Sequence, residues 1–350
     1  MSDDHWQQSD DHWQQLEKAY KREGVVLVLG AGVSIGSNMP NWEQLISGVA
    51  RKCLDERGVS VVKELRQRDY SLPAIASVIE RHFRQRGTQT QFLEYVREVL
   101  YAGLPDEFYR QLMDEERKKR FAELIRESNT TLRTVASFCA VKNQSDSYRA
   151  NPLVHAVITF NLDAMLHSYI NARYMQGERS FMRIIERPSS DYLPGRTNIY
   201  HMHGYLRFDS FAGDPSKESS DILFTEQEYF DFFNSPTSVF NYTFLYMLRE
   251  HPCLFIGLSM QDNNLRRLLH YSKIERQRGL IAEGYKERIE TRTLRHFAVM
   301  KREGEAIDEW IETSLQPLGV RVVWVKEFEE IPERIAGVYN AAGVSWGDVF

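Results

Sequence analysis

The 350-residue chain has only three cysteines, Cys53, Cys139 and Cys253. They lie far apart and form no C-x-x-C pair, which excludes a disulfide framework and a structural zinc site built on paired cysteines. No apolar run approaches the roughly 18 residues of a membrane-spanning helix, and the N-terminus is acidic and polar, unlike a secretion signal. Positive charge is not in excess: 44 Lys and Arg stand against 49 Asp and Glu, a net charge of −5. That balance argues against a protein whose main surface is a nucleic-acid footprint. The run Arg117-Lys118-Lys119-Arg120 follows Asp114-Glu115-Glu116, and reads as a solvated helix face of alternating charge. These absences leave a soluble chain, expected in the cytoplasm.

What is present begins with a hydrophobic share of 42%, enough to bury a sizeable core in one large α/β domain or in two domains. Residues 2–8 and 9–15 are the same heptad in tandem. Two copies make no repeat architecture, so 1–23 is expected to be a polar tail with a short helix from about Leu16. The apolar, β-branched run from Val25 to Leu29 stops at Gly30-Ala31-Gly32-Val33-Ser34, the pattern of a buried strand entering a tight turn. Such a turn lets backbone N–H groups and a helix N-terminus approach a phosphate. Alone, it is equally a structural turn.

Trp42, Leu45, Ile46, Val49, Ala50, Cys53 and Leu54 recur at three-to-four spacing and predict an amphipathic helix over 41–57. Helical spacing continues from about 59 to 150, for example in Ile75, Val78, Ile79 and Phe83, which predicts an all-helical insertion. Strand patterns resume after Pro152, at 153–160, 181–185, 199–205, 254–256, 295–300 and 320–325, with helical patterns between them. Thr225 and Glu228 have the spacing of a capping box. Strands alternating with helices indicate a parallel sheet covered on both faces. The expected fold is therefore a Rossmann-like α/β core over 24–350, interrupted by the helical insertion.

Four strand ends carry small or polar residues: Gly30 to Ser34, Thr159-Phe160-Asn161-Leu162-Asp163, His203-Gly204, and Gly257-Leu258-Ser259. Ligands of open parallel sheets gather beyond the carboxyl ends of the strands. Each element has a structural alternative: Asn161 and Asp163 can cap a helix, His203 can be a satisfied turn residue, and Asp262-Asn263-Asn264 can simply start one. His201 shares strand parity with His203 but is read as a packing or supporting residue.

In order and spacing these four elements resemble the sirtuin-like NAD-consuming family, and the segment 223–229 resembles one common in its bacterial branch. The resemblance spans most of residues 25–269. Two features depart from the protein-deacylating members. Their paired-cysteine zinc module is missing between His-Gly and Gly-x-Ser, where this chain has only Cys253. Their acidic-Phe-Arg sequence after the loop's proline is replaced by Asn41-Trp42-Glu43. The resemblance is thus to the zinc-free bacterial branch, similar to NAD hydrolases of antiviral defence.

That resemblance implies an NAD glycohydrolase that releases nicotinamide and ADP-ribose, with NAD as substrate and no zinc. It implies Asn161 and His203 as catalytic residues. Gly30, Ala31, Gly32 and Ser34 would hold phosphates, Asp163 would order Asn161 or a ribose hydroxyl, and Gly257, Ser259 and Asp262 would border the adenosine. A non-catalytic subunit sensing NAD or ADP-ribose, or a protein deacylase, are the alternatives. With the chain ending at Phe350, gating is expected from the insertion, from homo-oligomerisation, or from a partner such as a ring-forming translocase-type ATPase.

Overall fold

The computed structural model describes residues 2–109, 114–142, 147–175, 180–185, 195–207, 222–234 and 239–343. Its strands are β1 (Val25–Leu29), β2 (Ala140–Lys142), β3 (Tyr148–Ala150), β4 (Val154–Thr159), β5 (Met182–Ile185), β6 (Thr197–His201), β7 (Cys253–Ile256), β8 (His296–Lys301) and β9 (Val320–Val325). Seven of them form one parallel sheet in the order β5-β6-β4-β1-β7-β8-β9. The expected Rossmann-like α/β fold is what the chain adopts.

β1 is buried along its whole length, as a central strand covered on both faces must be. Its side chains alternate. Val25, Leu27 and Leu29 enter one core, and Val26 and Val28 enter the other. The first core is closed by the helices Ser2–Glu23, Met165–Tyr174 and Ile331–Asn340 together with the inserted helices. The second is closed by Val239–Glu250, Asn263–Ala282 and Glu305–Leu315.

The N-terminal region departs from the expected tail. Ser2–Glu23 is one helix, and Trp13, Leu16 and Tyr20 on it are buried. The second heptad copy docks on β9, the outer strand of the sheet. The Trp13 indole donates to the Trp324 carbonyl at 3.1 Å, and His12 Nδ1 meets the Val322 carbonyl at 2.8 Å. An edge strand whose polar groups are covered in this way is protected from pairing with another chain. A polar heptad hides this because one aromatic in it suffices to anchor the face.

The insertion is helical from Glu56–Gln67 through Thr130–Phe138. It then ends in the antiparallel pair β2 and β3, a departure from the all-helical expectation. Three-residue strands are too short to show alternation. At 225–228 the Glu228 carboxylate accepts from the Thr225 and Phe224 N–H groups at 2.7 and 2.8 Å, the return half of the expected capping box.

After β1 the chain crosses to β4 on one side; after β6 it returns to β7 on the other. The order of connection therefore reverses between β1 and β7, where open α/β sheets bind ligands.

Candidate functional site

Backbone pairing continues past the strand ends and sets their loops side by side. Phe160 N–H donates to the Leu29 carbonyl at 3.0 Å, Met202 N–H to Thr159 at 2.9 Å, and Gly30 N–H to Ile256 at 3.0 Å. A cavity of about 1030 Å³ opens above them, at the upper end of the range for small-molecule sites. Gly30, Ala31, Gly32, Asn161, Asp163, His203, Gly257 and Ser259 all line it. Pro40, Asn41 and Trp42 line it too, with Asn41 capping the helix Trp42–Cys53 through a capping box with Gln44.

The glycine loop works differently from the expected phosphate cradle. Gly32 N–H donates to the Gly257 carbonyl at 3.0 Å, and those of Val33 and Ser34 close the loop's own turns onto Gly30 and Ala31. With Gly30 N–H also engaged, four of the loop's N–H groups are used inside the protein. The glycines serve close approach instead. A Cβ on Gly32 would lie 2.7 Å from Gly257 Cα, and one on Gly257, at φ +71°, would lie 2.6 Å from the Val33 nitrogen. Ala31 is exposed on the cavity wall.

Ser34 lies behind the wall rather than on it. Its Oγ accepts from Asn161 Nδ2 at 3.3 Å, and it lies close enough to Asp163 to lower that carboxyl's pKa. Asn161 N–H donates to Thr159 Oγ1 at 3.1 Å. Asn161 Oδ1 is buried and has no hydrogen-bond partner. A buried acceptor left without a partner costs about 1–3 kcal/mol, so this oxygen is held at a cost that the rest of the loop offsets. Asp163 accepts from Met165 N–H at 3.0 Å and stands one residue before Ala164, the N-cap of the helix Met165–Tyr174; burial raises its pKa, opposed by that bond and by Ser34 and Asn161.

His203 sits among aromatic rings, with centroids 5.1 Å from Phe160 and 5.3 Å from Tyr229. Burial lowers its pKa to about 4, while the charge of Asp262 and a backbone contact at Phe160 pull it upward. It is neutral at pH 7 and can accept a proton. Asp262 caps the helix Asn263–Ala282 through the Leu265 N–H at 2.7 Å. Its charge acts on His203 and Tyr229. His201 is buried against Tyr205 and His167, at centroid distances of 4.5 and 5.4 Å, with no hydrogen-bond partner for either ring nitrogen.

Sequence patterns did not reveal the insertion's share of the wall. Leu100, Ser128, Asn129, Thr130 and Thr131 line the cavity. Asn129 caps the helix Thr130–Phe138 through Leu132 N–H and donates from Nδ2 to the Val33 carbonyl at 2.9 Å and Ser37 Oγ at 2.8 Å. The signal was an Asn before an apolar helical run, a helix start; its grip on the glycine loop had no local trace. Arg266, Lys301 and Glu303 add charge to the lining, with Lys301 paired to Glu327.

Among the described residues no group of three or more His, Cys, Asp or Glu side chains comes together to hold a metal ion, and no helix is long and apolar enough to cross a membrane. No curated protein matches the chain. Residues 155–318 match the model of a family described as the SIR2-like domain, a stretch that contains Asn161, Asp163, His203, Gly257, Ser259 and Asp262 but not the glycine loop. This part of the chain is therefore similar to the SIR2-like family, in which NAD-related chemistry is the common ground.

Proposed function

We propose that the chain is an NAD glycohydrolase, cleaving NAD to nicotinamide and ADP-ribose. The observation that carries this reading is the convergence of Asn161, Asp163 and a neutral His203 on the wall of one cavity. Breaking the nicotinamide–ribose bond passes through an oxocarbenium-like sugar. Nicotinamide departs as a neutral base, so no strong acid is required. What remains is to bind the dinucleotide, orient the sugar carbon and place a water.

In this mechanism Asn161 accepts from the attacking water or a ribose hydroxyl through Oδ1, while its amide N–H₂ is held by Ser34. His203 takes the proton, and the rings of Phe160 and Tyr229 around it keep bulk water from competing. The cavity's volume of about 1030 Å³ has room for a dinucleotide. The sequence resemblance extends the proposal to a gated effector of antiviral defence that depletes NAD, working as a homo-oligomer or with a translocase-type ATPase.

The test is release of nicotinamide from NAD by the purified protein, alone and with co-purified products of neighbouring genes. Asn161→Ala and His203→Ala are each expected to abolish it in protein that circular dichroism shows to be folded. Full activity in either variant refutes the assignment.

A further inference from the structure

We propose that Tyr101, at the end of an inserted helix, is a positioning residue whose single hydroxyl clasps the Asn161 loop to the His203 loop. This inference rests on the hydrolase reading for its catalytic meaning, and on geometry for the clasp itself.

Tyr101 follows the helix Gln89–Leu100 and is completely buried. Its hydroxyl donates to the Leu206 carbonyl at 2.5 Å and accepts from the Ala164 N–H at 2.9 Å. Leu206 N–H in turn donates to the Leu162 carbonyl at 2.7 Å. The two segments are therefore joined twice, once by their own backbones and once by a phenol that belongs to neither. Asn161 is three residues before one anchor and His203 three residues before the other. The hydroxyl keeps its proton, because burial and the nearby Asp163 carboxylate raise its pKa well above the usual phenol value.

The ring's position is fixed from behind. The turn after Tyr101 presses on the end of the glycine loop so tightly that a Cβ on Gly103 would lie 2.3 Å from the Asn38 carbonyl oxygen. Leu100, immediately before, lines the cavity. A shift of the insertion that withdraws this turn would loosen both loops at once, and catalytic geometry tolerates about 1 Å of displacement before rates fall about a hundredfold. The insertion is thus coupled to the reacting side chains through named atoms.

Full-length Tyr101→Phe tests this, since it keeps the ring and removes only the clasp. Hydrogen exchange is expected to quicken in segments 161–166 and 203–207 while β8 and β9 stay as protected as in the wild type. For nicotinamide release, kcat is expected to fall about tenfold or more with KM for NAD within about threefold, because binding contacts elsewhere in the cavity remain. Unchanged exchange in the two segments, a uniform rise across the whole fold, or a kcat within about twofold of wild type overturns the proposal. If the wild type releases no nicotinamide under any condition, the hydrolase reading fails, and the exchange comparison still decides whether the clasp exists.

Discussion

Replacing Gly32 by alanine probes the contact on which the cavity floor is built. The new methyl carbon would sit 2.7 Å from Gly257 Cα and 3.0 Å from the Gly257 carbonyl oxygen. Carbon atoms rest at about 3.5–4.0 Å, so the loops after β1 and β7 must part by nearly an ångström. Both partners are backbone, and Gly257 is held by the Gly32 N–H and by its own left-handed conformation. No side chain can swing away to relieve the clash. Overpacking of this kind costs about 1–3 kcal/mol, and for a chain of this size the upper figure corresponds to a fall in Tm of roughly 5 °C.

A control removes the ambiguity of glycine replacement in general. Gly279 lies exposed in the helix Asn263–Ala282, and a Cβ there meets nothing within 4 Å. Gly279→Ala is expected to stabilise by about 0.5–1 kcal/mol, the ordinary helix preference. Differential scanning fluorimetry and NAD titration by calorimetry read both variants. Gly32→Ala should melt earlier and bind NAD more weakly, while Gly279→Ala should melt later with unchanged affinity. A Gly32→Ala protein that melts and binds like the wild type would refute the close contact between the loops.

Two further predictions concern histidine. With His203 lowered to about 4 by burial, the acid limb of kcat/KM for NAD hydrolysis should fall near pH 4, not near the ordinary 6.5; a limb at 6.5 would show that His203 is not the base. Stability should also fall on acidification. His201 and His203 are each lowered to about 4 by burial, so between pH 6.5 and 4 the unfolded chain takes up protons that the folded one refuses. Their contribution is complete above pH 6.5 and lost as pH falls toward 4, at a cost of about 3 kcal/mol for each residue. Asp163, raised by burial, works in the opposite sense at the acid end. Urea midpoints at pH 7.5, 6 and 5 should decline steadily, and His201→Phe should reduce that decline; a flat profile would contradict the buried, neutral histidines.

Much of the α/β rhythm was legible because burial on both faces writes itself as apolar runs. β1 stops where Gly30 begins, and β9 spans Val320–Val325 as its pattern indicates. The four strand ends could be named for the same reason, since a parallel sheet delivers them to one edge. What could not be read depends on which atoms meet. The glycine loop's N–H groups have the pattern of a phosphate cradle, yet those of Gly30 and Gly32 bond the carbonyls of Ile256 and Gly257, and those of Val33 and Ser34 bond carbonyls of the loop itself. Ser34 looked like a ligand contact and instead supports Asn161 from behind. Asp262 looked like part of the adenosine wall, and its carboxylate caps a helix while acting on His203. Asn129 and Tyr101 stand in a helical region with no chemistry of its own, more than 90 positions from one partner and 100 from another. Only the fold brings them to the site.

The most direct measurement is product analysis after incubating the purified protein with NAD, alone, with its co-purified partners, and with an acetylated peptide. Nicotinamide and ADP-ribose in equal amounts, without need of the peptide and lost in Asn161→Ala, is the expected result. Tight NAD binding with no nicotinamide in any of the three conditions, or release only when the peptide is present, would contradict it.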